Sequence, residues 1–69
     1  MNFDIDKTEP NILLSIINMK LRDEFSDLND LSAYYDIDKI KLEDRLGSIG
    51  YKYSSTNNQF IKNDLKLQA

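Results

Sequence analysis

Sixty-nine residues at 8.1 kDa make a single domain, because chains divide only at far greater length. The chain has no Cys and no His, which excludes disulfide staples, thiol nucleophiles, imidazole mechanisms and the usual structural zinc sites. Twelve acidic residues against nine basic ones give a formal charge of −3, a balance that does not point to unspecific binding of polyanions.

At the N-terminus, Phe3 and Ile5 alternate with Asp4 and Asp6, which predicts a short strand or arm over 1–7. This stretch has no basic region leading into an apolar run, so it does not read as a secretory signal. The longest apolar cluster, from Ile12 to Ile17, is interrupted by Ser15 and falls far short of the roughly 20 residues a membrane span needs. The expected location is the cytoplasm, with no membrane partner. A composition rich in Ile, Asn, Lys and Asp suggests an AT-rich bacterial genome.

Thr8 or Glu9 caps a first helix over 9–25, with Pro10 in its first turn, where a missing N–H costs nothing. Leu14, Ile17, Leu21 and Phe25 form one stripe of this helix, with Leu13 beside it. Ile12, Ile16 and Met19 form a second apolar face, either covered by Tyr51, Tyr53, Phe60 or the N-terminal arm, or open to a weak homodimer contact. Asp27 restarts the chain into a second helix over 27–35, whose Leu28, Leu31 and Tyr35 share a face. Asp38 caps a third helix over 38–49, marked by Leu42, Leu46 and Ile49, and Gly50 ends it in a position that tolerates positive φ. The period then changes to two: Tyr51 and Tyr53, a polar turn, then Gln59-Phe60-Ile61 predict a β-hairpin over 51–61. Residues 62–69 carry too little pattern to assign and form a tail. The expected fold is α+β, mainly α, with three helices followed by a hairpin, the order of a winged helix-turn-helix. Its core is expected to hold Leu14, Ile17, Leu21, Leu31, Leu42, Leu46 and Ile49.

Several of these residues also form a recognisable pattern. Pro10-Asn-Ile-Leu-Leu-Ser15, Asn18, Lys20-Leu-Arg-Asp23, Leu28, Leu31, Ile49-Gly-Tyr51 with Tyr53, and Asn58-Gln-Phe60 together resemble a family of small bacterial proteins described only as a domain of unknown function. The resemblance spans 9–61. Two positions depart from the family's habit: Glu9 stands where Asp often precedes the Pro, and Ser32 where Cys is frequent. The resemblance implies no activity.

Three functional classes remain. In a winged helix-turn-helix the third helix enters the major groove, and its outward face here would be Ile40, Lys41, Asp44, Arg45 and Ser48. Lys41 and Arg45 suit phosphates, but Asp44 lies between them and Asp27, Asp36 and Asp38 crowd nearby, opposing the counterion release on which DNA affinity depends. DNA binding by the third helix and the wing is therefore the alternative reading. The same five residues read better as a surface for an unknown protein partner, making the chain a small interaction or regulatory module, monomeric or weakly dimeric. Catalysis has no foothold. Asp-Ile-Asp-Lys occurs twice, at 4–7 and 36–39, but neither copy continues as a calcium loop, so neither a metal nor another cofactor is expected. Lys20, Arg22 and Asp23 are expected to form surface or inter-helix ion pairs, with Arg22 placed to clamp the first inter-helix junction, where Asp23 and Asp27 lie.

Overall fold

A computed structural model describes residues 4–63. The helices are α1 (Pro10–Asp23), α2 (Leu28–Tyr35) and α3 (Lys39–Gly47), followed by strands β1 (Tyr51–Ser54) and β2 (Gln59–Lys62). Each helix begins on an acidic cap whose carboxylate accepts from free N–H groups of the first turn. Glu9 accepts from Asn11 and Ile12, Asp27 from Asp30, and Asp38 from Ile40 and Lys41. Gly50 follows α3 with φ +87°, a conformation that strains any side-chain-bearing residue. The strands pair antiparallel, Tyr51 with Lys62 and Tyr53 with Phe60, and Asn63 N–H closes the base on Gly50 O at 2.7 Å.

Leu13 and Ile17 of α1, Leu31 of α2, and Leu42 and Leu46 of α3 are fully shielded from solvent. Leu21, Leu28, Phe60 and Ile5 complete this core. Two expected core residues lie at its margin. Leu14 is half-buried because the stripe of α1 that meets the core is rotated toward Leu13. Ile49 is also half-buried, because α3 ends at Gly47 and Ile49 has left the helical phase.

The hairpin is fastened to α1 by side-chain amides. Asn18 presents its amide to β2 as another strand would: Phe60 N–H donates to Asn18 Oδ1 at 2.7 Å, and Asn18 Nδ2 donates to Phe60 O at 3.0 Å. Gln59 Nε2 donates to Asn18 O at 2.9 Å. Asn58, held in the left-handed region at φ 52°, donates from Nδ2 to Leu21 O and Phe25 O, both at 3.0 Å. Two carbonyls at the C-terminal end of α1, left without helical partners, are satisfied in this way. Asn58 Oδ1 accepts from the Tyr53 hydroxyl at 2.7 Å, and that hydroxyl accepts from Leu28 N–H at the start of α2 at 3.3 Å. One hairpin therefore ties together the end of α1 and the beginning of α2.

This docking direction rules out the hairpin as the cover for the second face of α1, one of the two alternatives expected for it. The hairpin sits on the Asn18 flank, so Ile12 and Met19 stay exposed at 57% and 43% while Ile16 is half-buried. Four further corrections follow. Within 4–7 the chain is a turn rather than a strand, and positions 1–3, like 64–69 of the expected tail, lie outside the described residues. Lys62 belongs to β2. Arg22 forks onto Asp23 alone, at 3.0 and 3.2 Å. Lys20 is buried rather than superficial, with its ammonium 5.4 Å from the centre of the Tyr35 ring and 3.5 Å from Glu24. Tyr35, and after it Glu24, holds that ammonium above the usual lysine range.

Candidate functional site

The Asp-Ile-Asp segments of the two repeated tetrapeptides, 32 positions apart in the chain, line one open groove of about 550 Å³. Asp4 and Asp6 stand on one side of it, Asp36 and Asp38 on the other. Ile5, Tyr35 and Ile37 supply the apolar floor, and Lys41 reaches in from α3.

The N-terminal wall is a tight turn. Asp6 N–H donates to Asp4 Oδ1 at 2.8 Å and Thr8 N–H to Asp4 O at 2.9 Å, which turns the Ile5 side chain into the core. Arg45 then locks the turn onto α3: Nε donates to Ile5 O at 2.7 Å and Nη2 to Thr8 O at 2.6 Å. Lys41 Nζ adds an exposed ion pair with Asp6 at 3.3 Å. The opposite wall is the α2–α3 connection. Asp36 ends α2 in the left-handed region at φ 56°, Ile37 N–H returns to Ser32 O at 2.8 Å, and Asp38 caps α3.

All four aspartates are exposed. No three acids among the described residues are grouped as metal ligands would be; they rim the groove instead. Asp4, Asp6 and Asp38 each accept internal hydrogen bonds. The Asp36 carboxylate has no partner among the described residues. Next to the floor, Phe25, Tyr34 and Tyr35 form an aromatic cluster with ring centres 4.9–5.7 Å apart.

The five residues read as an outward face of α3 do not form one free surface. Ile40 is 67% exposed, and Asp44 and Ser48 are exposed as well. Lys41 faces the groove, while Arg45 is half-buried behind the N-terminal turn. Both cations that would have met phosphates thus have partners within the chain, Lys41 in an exposed pair with Asp6 and Arg45 on the carbonyls of Ile5 and Thr8. Sequence reasoning did not place Asp4, Ile5 and Asp6 beside Asp36, Ile37 and Asp38. The repeated tetrapeptide was the available signal, but repetition does not say that two copies will meet.

The described residues thus form three helices closed by an amide-fastened hairpin, with an acid-rimmed groove at one side. The chain belongs to the DUF4250 family, a domain of unknown function, whose family model matches residues 7–60. Neither a curated protein nor a solved structure matches it, so the likeness to winged helix-turn-helix proteins rests on element order alone. The family-like residues Asn18, Tyr53, Asn58, Gln59 and Phe60 are the hairpin joint described above, which gives that part of the pattern an architectural explanation.

Proposed function

We propose that the protein is a small, non-catalytic docking module of the bacterial cytoplasm that binds a partner protein through the groove between residues 4–6 and 36–38. The observation that carries this reading is a concave surface with an apolar floor and a polar rim, the usual anatomy of a recognition patch. Its acids stand in solvent, whereas general acid work calls for a carboxyl in apolar surroundings that raise its pKa. Among the described residues no helix is long and apolar enough to cross a membrane, in keeping with a partner met in solution.

The test is affinity capture from native bacterial lysate with the wild-type chain and with Ile37→Glu, half of each sample digested with nuclease. The reading expects a defined protein captured by the wild type, lost with Ile37→Glu and indifferent to nuclease. Capture abolished by nuclease would transfer the function to nucleic acid, and capture unaffected by Ile37→Glu would remove the groove from it.

A further inference from the structure

We infer that the groove's occupant is a short segment of the partner protein in which basic side chains flank an apolar one. The inference rests on the docking reading above and names the chemistry of what docks.

Charge complementarity is the first argument. Four aspartates and one lysine border the groove, so its net charge of −3 equals that of the whole chain. An anionic segment would be repelled from this end of the molecule and a cationic one drawn to it. The second argument is the state of Asp36. Its carboxylate has no internal partner, and it stands at the C-terminal end of α2, where the helix dipole already carries negative potential. A negative charge there opposes the helix and serves no bond of the fold. An arriving ammonium or guanidinium would meet the carboxylate and the helix pole together. The third argument is the floor. Tyr35 and Ile37 are only half-buried; the Tyr35 ring already carries the Lys20 ammonium, and Ile37 beside it suits an apolar side chain held between basic ones. Tyr34, whose ring meets that of Tyr35 edge-on at 4.9 Å, is 72% exposed and extends the apolar floor, which favours a peptide over a small polyamine.

The experiment uses a fluorescein-labelled peptide of alternating lysine and leucine, a second with glutamate for every lysine, and a third with serine for every leucine. Binding is read by anisotropy and located by NMR shifts of Tyr35 and Ile37. The first peptide should bind, move both groove resonances, and weaken by about tenfold in Asp36→Asn. The other two should bind far less tightly. Asp36→Asn should at the same time hold or raise the melting temperature, since Asn accepts the left-handed conformation and removes the charge that opposes α2. Equal binding of the glutamate peptide in the groove would overturn the cationic assignment and leave the docking reading standing. Equal binding of the serine peptide would overturn the apolar element alone. If no peptide moves the groove resonances, or if Asp36→Asn lowers the melting temperature, the inference fails while the capture experiment still decides the docking reading.

Discussion

Asn58 concentrates three roles in one side chain: it accepts a left-handed backbone, receives the Tyr53 hydroxyl and donates to two carbonyls at the end of α1. Asn58→Asp keeps the shape but loses both donated bonds and places a negative charge against a helix C-terminus. It should cost about 2–4 kcal/mol in urea unfolding. Asn58→Gly loses the bond accepted from Tyr53 as well as the two donated ones, but it relieves the backbone and brings no charge to the helix end, so it should be the milder change; the reverse order would mean that the charge against the helix end costs little. Ser32 presents the opposite case. Its hydroxyl is buried without a hydrogen-bond partner in the structure, at a position where the family pattern often has Cys. Ser32→Ala should therefore stabilise the protein by about 1 kcal/mol, and a drop in the urea midpoint would show that the hydroxyl has a bond after all. Glu9 sets a pH dependence. The Asn11 side-chain amide, then the Asn11 and Ile12 N–H groups, hold its carboxyl below the usual range. A depressed carboxylate pKa contributes stability above its unfolded value and loses that contribution as pH falls through the native one. The stability advantage of the wild type over Glu9→Gln should be full at pH 7 and fade below about pH 4, as read from urea midpoints at the two ends.

At the scale of elements, what could be read from the sequence was local. The acidic caps at Glu9, Asp27 and Asp38, the stop at Gly50 and the change of period at Tyr51 act within a turn or two of themselves, and each appears in the structure where those spacings place it. The joints were not legible in the same way. Asn18 meets Phe60 and Asn58 meets Leu21 across about forty positions, and a polar side chain carries no periodic signal of the carbonyl it will find. The wing-covered alternative for the second face of α1 failed for the same reason, since the side chosen by the hairpin depends on Asn18 rather than on apolar attraction to Ile12, Ile16 and Met19. With Ile12 and Met19 in solvent, replacing both with Gln should leave the melting temperature within a degree or two and the mass by light scattering at 8.1 kDa. A melting temperature that falls, with concentration dependence in the parent alone, would show that a second copy covers this face.

For the whole molecule, the decisive tie is between the segment before α1 and α3. The residues before α1 gain a fixed shape by inserting Ile5 into the core and by surrendering the carbonyls of Ile5 and Thr8 to the fork of Arg45. This single guanidinium holds one groove wall against the helix that is capped from the other wall, so fold and site stand or fall together there. Asp4, Ile5 and Asp6 also precede the span matched by the family model, 7–60, which leaves three of the eight groove-lining residues outside the shared pattern. Arg45→Met should leave two carbonyls without their charged donor and cost about 2–3 kcal/mol in urea unfolding. It should also loosen the N-terminal turn, seen as faster hydrogen exchange at Lys7 and Thr8, whose N–H groups close that turn on Asp4 O. Arg45→Lys separates charge from geometry: an ammonium keeps the cation but not the planar fork that reaches two carbonyls, so it should recover only part of the loss. Had Arg45 served as a free phosphate ligand on an exposed helix face, neither change would move stability by more than about 0.5 kcal/mol. An unchanged urea midpoint in Arg45→Met would therefore return this residue to the outward face of α3 and detach the N-terminal wall from the groove.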